Sequence, residues 1–183
     1  MKRVFIKLSY KGTNFFGWQI QPEQVSVQEK IESALSKLNA NKEVKIVGCG
    51  RTDTGVHASE YFAHTDIPFP IENDQLAFKL NGMVGKEIAI HDIIDVQGEA
   101  HARFDATART YHYFIHQKKD PFIEEISWYK KEELDIEKMN QACLKLMDHV
   151  DFECFSKVKT DVNNFDCDIT NAIWIRSEKG YVF

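Results

Sequence analysis

The apolar residues of this chain change their spacing in a fixed order, and that order restricts the fold more than any other feature. Between residues 3 and 10, Val4, Ile6 and Leu8 alternate with polar neighbours, the period-two mark of a strand with one buried face. From Val27 the spacing becomes helical, with Val27, Ile31, Ala34, Leu35 and Leu38 on one stripe. Ser26 and Glu29 read as a capping box at its start, so a helix is predicted over 26–38. Strand character then returns on either side of a glycine-bracketed loop. A second helix is predicted over 73–80, closed by Asn81-Gly82, followed by strands over 88–96 and 107–116. Ile136, Met139, Ala142, Cys143, Leu146, Met147 and Val150 define a third helix whose stripe is expected to be core. Residues 169–176, and 181 onward, are again strand-like. The order predicts an α+β fold, an antiparallel sheet with helices packed on one face.

A chain of 183 residues is long enough to bury a core as one or two small domains. No apolar run is long enough to cross a bilayer, and the opening Met-Lys-Arg-Val-Phe-Ile alternates rather than forming a signal peptide's apolar block. Cys49, Cys143, Cys154 and Cys167 show no C-x-x-C spacing and are expected to be buried thiols. Cytoplasm is the default location. The formal net charge of −5 runs against nucleic-acid binding, which favours a basic surplus. Its distribution softens that objection. Between Ala100 and Lys119, Arg103, Arg109, Lys118 and Lys119 face Asp105 alone, while Asp120, Glu124, Glu125, Glu132, Glu133, Asp135 and Glu137 crowd the next stretch. Those carboxylates are expected to mark a solvated face turned away from RNA.

Chemistry concentrates in Gly50-Arg51-Thr52-Asp53-Thr54-Gly55-Val56-His57-Ala58. Glycines let the backbone turn sharply and let a substrate approach it. Asp53 can act as a nucleophile or a base, and Arg51 offers a fork of donors that fixes the carboxylate or clamps a phosphate beside it. A bare G-R-x-D-x-G would be read as a polar hairpin loop with an Arg–Asp pair. The full nonapeptide is far more specific. It resembles the catalytic loop of TruA-type tRNA pseudouridine synthases.

Three further segments carry the same resemblance in the family's order. Tyr10-Lys11-Gly12-Thr13-Asn14-Phe15-Phe16-Gly17-Trp18-Gln19 is similar to its N-terminal signature, with Ser26-Val27-Gln28-Glu29 opening the first helix. Residues 102–113, Ala-Arg-Phe-Asp-Ala-Thr-Ala-Arg-Thr-Tyr-His-Tyr, resemble its second core motif, and Asp151-Phe152-Glu153-Cys154-Phe155 a weaker later one. The resemblance implies two ferredoxin-like halves around a central cleft, divided here as 1–105 and 106–183. It implies isomerisation of uridine to pseudouridine at positions 38–40 of the tRNA anticodon stem-loop, by a homodimer that needs no cofactor or metal. Asp53 then aligns with the catalytic nucleophile beside Arg51, and Tyr111 with the Tyr that stacks on the target uracil. Arg103 and Arg109 are expected to make phosphate or loop-ordering contacts, and Trp18 and Gln19 to order the loop. On a strand over 107–116, alternation would put Arg109, Tyr111 and Tyr113 on one face.

One departure stands out. The sequence stops at Lys179-Gly180-Tyr181-Val182-Phe183 without the family's later Gly-Phe-Leu/Met-Val-Arg-like motif, so a truncated second half is expected, inactive or poor by itself, with an unpaired strand edge near Tyr181. A non-catalytic RNA-binding or dimerisation module is the competing expectation.

Overall fold

The computed structural model describes residues 1–156 and 164–183, in two units, Met1–Arg109 and Thr110–Phe183. The first unit runs β1 (Lys2–Tyr10), α1 (Val27–Leu38), β2 (Val47–Gly48), β3 (Ala58–Ile67), α2 (Asn73–Asn81) and β4 (Ile88–Asp95). Its sheet has the order β2-β3-β1-β4, and each neighbouring pair is antiparallel. A β-α-β-β-α-β chain with its first and third strands central is the ferredoxin-like arrangement. Every second residue of β1 is buried, Val4, Ile6, Leu8 and Tyr10, and these pack with Val27, Ile31, Ala34 and Leu35 of α1 and Leu76 and Leu80 of α2 in one core.

The helix starts and stops follow their local chemistry. Ser26 Oγ accepts from the Glu29 amide at 3.2 Å while the Glu29 carboxylate accepts from the Ser26 amide at 3.4 Å, the predicted capping box. The side-chain amide of Asn81 exchanges two hydrogen bonds of 2.8 Å with the backbone of Ile90, pinning the end of α2 to β4. Strand β2 is shorter than its apolar lead-in suggests. Val44 and Ile46 are buried, yet their amides go to Ser36 Oγ at 3.1 Å and the Glu32 carboxylate at 3.0 Å. Side chains of α1 thus take the place of a partner strand.

The second unit contains β5 (Phe114–His116), β6 (Trp128–Tyr129), α3 (Ile136–Met147), β7 (Ile175–Arg176) and β8 (Gly180–Val182). Its sheet order is β6-β5-β8-β7, with β5 and β6 parallel and the other pairs antiparallel. Five expectations are corrected here. The strand foreseen over 107–116 is regular only at Phe114–His116, preceded by mutual Tyr113–Phe183 backbone bonds of 3.0 and 2.9 Å; strand alternation therefore does not order Arg109 and Tyr111. The strand foreseen over 169–176 shrinks to β7, because the Asn140 side chain satisfies both backbone groups of Trp174 at 2.8 and 3.0 Å. Strand β8 is no edge: it pairs on both sides and Tyr181 is 1% exposed. The stripe of α3 is not a closed core. Among its expected members Cys143 is buried, while Met147 and Val150 are exposed. All four cysteines are free, and Cys154 and Cys167 are exposed rather than buried.

Candidate active site

The Arg51–Asp53 loop leaves β2, enters β3, and is tied at each step to residues 10–18. The Trp18 amide donates to the Thr52 carbonyl at 3.1 Å, and the Gly55 amide donates to the Phe15 carbonyl at 3.2 Å. Tyr10 and Thr52 join through their hydroxyls at 2.9 Å, and the Gly12 amide donates to Nδ1 of His57 at 3.1 Å. The Val56 amide closes the turn on the Asp53 carbonyl at 3.1 Å. Two glycines make this approach feasible. A Cβ on Gly12 would lie 2.0 Å from the Val56 oxygen; on Gly17, whose φ is +82°, it would lie 2.3 Å from the Thr52 oxygen. The N-terminal segment and the Arg–Asp loop are therefore one structural unit, built from two stretches that sequence reading treated separately.

Three buried aromatics lie beneath. Trp18 stacks on Tyr61 with ring centres 4.2 Å apart, and Tyr10 meets Tyr61 edge-on at 5.6 Å. Burial is the main cause that holds the Tyr61 phenol well above its usual range. It stays protonated and donates to the Gly50 carbonyl. With the backbone fixed from below, Arg51 and Asp53 are both exposed on the loop. That combination, an immobile main chain under accessible functional groups, is what positioned chemistry requires.

A second turn, 101–105, is fastened beside this loop. The Asp105 carboxylate accepts from the His101 amide at 2.7 Å, and His101 Nδ1 accepts from the Arg103 amide at 3.2 Å. Nδ1 of His64 accepts from the Ala102 amide at 3.1 Å. Arg109 joins turn and loop: its guanidinium donates to the Cys49 carbonyl at 3.0 and 2.6 Å and to the Arg103 carbonyl at 2.9 Å. Arg109 thus orders two backbones, and Arg103 itself stays exposed. His64 is pushed below its ordinary value, first by burial and then by the charges of His101 and Arg3. Arg3 grips Asp66 through two hydrogen bonds of 2.9 and 2.7 Å, which hold that carboxyl below the usual range.

Tyr111 belongs to the second unit, where it is 63% exposed and precedes the first rung of the sheet. Tyr113 packs edge-on against Trp174 at 6.3 Å. Sequence reading gave no role to His57, Tyr61 or His64. The usable signal was the pairing of Tyr10 and Tyr61, aromatic residues on the neighbouring strands β1 and β3, the second of which the glycine-rich loop enters.

A ferredoxin-like sheet carrying an exposed Arg-x-Asp loop on an aromatic bed has the architecture implied for a pseudouridine synthase. Comparison with known proteins agrees. Residues 7–105 match the family described as tRNA pseudouridine synthase. The chain is 50% identical, over its whole length, to 73% of the tRNA pseudouridine synthase A of Parabacteroides distasonis. It is 45% identical over 96% of its length to 70% of the protein of that name from Porphyromonas gingivalis. A relative from Staphylococcus saprophyticus is 36% identical over 88% of the chain and 61% of the relative. The chain belongs to the tRNA pseudouridine synthase family, whose members are isomerases.

Proposed function

We propose that this chain carries the catalytic loop of an enzyme that isomerises uridine to pseudouridine at positions 38–40 of the tRNA anticodon stem-loop, with Asp53 as the nucleophile. The observation that carries the reading is the setting of Asp53: an exposed carboxylate on a loop whose main chain is bonded at Thr52, Asp53 and Gly55. In the reaction the bond from ribose C1′ to uracil N1 breaks and one from C1′ to C5 forms. The proton lost from C5 is balanced by the one gained at N1, so no external reductant or oxidant enters. Asp53 serves each route open to a carboxylate here: attack on the anomeric carbon, attack on the uracil ring, or proton abstraction toward a glycal. Arg51 supplies a forked contact to the flipped nucleotide's phosphate or to the carboxylate.

Tyr111, exposed and aromatic, stacks on the extruded uracil, and Arg103 contacts phosphate. Arg109 acts through the two carbonyls it holds. The halves are 1–105, with the catalytic loop, and 106–183. The protein works in the cytoplasm as a homodimer in which one subunit holds the tRNA that the other modifies. Stem-loop uridines suit this chemistry because a base near a loop costs least to unstack.

The test is tritium release from C5-labelled uridine in an unmodified tRNA transcript, with product positions mapped. Asp53→Asn is expected to abolish release while tRNA binding is kept. Turnover within about tenfold of wild type, roughly 1.4 kcal/mol of barrier, would remove Asp53 from the chemistry. Product confined to positions outside 38–40 would overturn the site assignment while leaving the activity.

A further inference from the structure

The turn at 101–105 uses most of its backbone to display one residue that the folded chain does not otherwise need. The His101 carbonyl accepts from the amides of Phe104 and Asp105 at 3.1 and 2.9 Å. Asp105, His101 and His64 side chains take the amides of His101, Arg103 and Ala102, and Arg109 takes the Arg103 carbonyl. At the top of this frame Phe104 is 74% exposed. Scattered surface apolar residues are ordinary, so exposure alone says little. What sets Phe104 apart is its company. The His101 ring stacks on it at 4.2 Å with an interplanar angle of 30°, and the Arg103 guanidinium lies 5.8 Å from its ring centre.

Three other phenylalanines are as exposed, and of these Phe155, 77% exposed, meets only the Phe152 ring, at 5.8 Å, with no cation over its own ring among the described residues. Phe122, 94% exposed, follows Asp120 and precedes Glu124 and Glu125, a setting that repels phosphate. Phe78, 79% exposed, has no such cation over its ring among the described residues. Around Phe104 the carboxylate of Asp105 is turned onto the His101 amide, and Arg103 remains exposed. An aromatic plane backed by an imidazole and flanked by a guanidinium fits an unpaired nucleotide: the base stacks and the phosphate meets the cation. Location agrees with that ligand, because the guanidinium of Arg109 spans from the Arg103 carbonyl to Cys49, the residue preceding the Arg–Asp loop.

We infer that Phe104 is an RNA-stacking residue, the 101–105 turn being the surface that holds an unpaired nucleotide next to the uridine undergoing reaction. This rests on the tRNA reading above and adds a contact to it. The stack formed is His101, Phe104, then the base, with Arg103 on the adjoining phosphate.

The experiment measures the Kd of the unmodified tRNA transcript, at one fixed salt concentration, for wild type, Phe104→Tyr, Phe104→Leu and Phe104→Ala. The exposed position makes each variant compatible with the fold. Stacking predicts that Tyr binds as wild type does, while Leu and Ala lose on the order of ten- to a hundredfold in affinity. The Leu variant decides between stacking and plain apolar contact. Affinity equal to wild type in Leu and Ala overturns the inference while leaving the tRNA reading intact. Loss of affinity accompanied by a change in sedimentation overturns it differently, assigning Phe104 to a contact between copies of the chain. If the wild-type protein binds no tRNA, the parent reading falls and takes this inference with it.

Discussion

Helices α1 and α3 have the same length, twelve residues, and a comparable apolar stripe, yet they end in different situations. In α1 the stripe residues Val27, Ile31, Ala34 and Leu35 are all buried against a four-stranded sheet whose three long strands run nine, ten and eight residues. In α3 Cys143 is buried, whereas the stripe residues Met147 and, just past the helix end, Val150 are 37% and 63% exposed, and no described strand of its unit exceeds three residues. Amphipathic spacing sets where a helix forms and which face is apolar. It does not set how much of that face is covered. The unit that buries four of the five stripe residues of its helix, with Leu38 partly buried, is also the one that fixes the Arg–Asp loop, and this agrees with a site that needs a rigid base.

The sharpest test of the contrast is a matched pair of truncations. Leu35→Ala in α1 removes a fully buried side chain and is expected to cost about 3 kcal/mol, within the usual range for core leucines. Val150→Ala, on the same stripe just past the end of α3 and 63% exposed, is expected to stay within about 0.5 kcal/mol, as exposed substitutions do. Chemical denaturation monitored by circular dichroism reads both. Similar losses for the two would mean that α3 is covered in solution, and the comparison would break.

Next comes the cradle under the loop. Gly12→Ala places a methyl group where the Val56 carbonyl lies and is expected to cost about 2 kcal/mol through overpacking. Its effect on turnover should be larger than its effect on tRNA binding, since it shifts the loop carrying Asp53 rather than the exposed surface. An unchanged turnover rate would show that the loop tolerates displacement. Removing the cap of α1 ranks lower: Ser26→Ala deletes the bond to the Glu29 amide and is expected to cost about 1 kcal/mol.

Much of the first unit is legible in the sequence because its elements are long and its local signals agree. The alternation in β1, the capping box at Ser26 and the stripe of α1 all point the same way. Two of the places where reading fails share one cause. At Ile46 and at Trp174 an apolar, strand-like stretch has its amide hydrogen-bonded by a side chain, Glu32 or Asn140. A polar residue elsewhere in the chain replaces a strand, and no local pattern announces it. The site follows the same rule. Arg51 and Asp53 stand out by their glycine brackets, whereas His64 is an ordinary strand residue whose significance comes from Ala102, thirty-eight positions away.

That long-range bond yields the smallest effect expected, and a test specific to the first unit. His64 is 6% exposed, and its Nδ1 must be unprotonated to accept from the Ala102 amide. Burial lowers its tendency to take a proton, His101 and Arg3 lower it further, and Asp66 and Asp105 work in the opposite direction. The folded chain therefore binds a proton here less readily than the unfolded chain, whose histidine titrates at its ordinary 6.5. Above that pH neither state is protonated and the contribution to stability is complete. As the pH falls below it, the unfolded state gains a proton that the folded state refuses, and stability drops until the folded histidine titrates too. His64→Gln keeps an acceptor for the Ala102 amide but cannot charge. Between about pH 7.5 and pH 5.5 its melting temperature should fall less than that of wild type, because the proton-linked term is gone. The carboxyl of Asp66, held low by Arg3, loses its contribution only at more acid pH and leaves this window to the histidine. Identical slopes for the two proteins would show that His64 does not sense this range, and that the 101–105 turn is held independently of its charge.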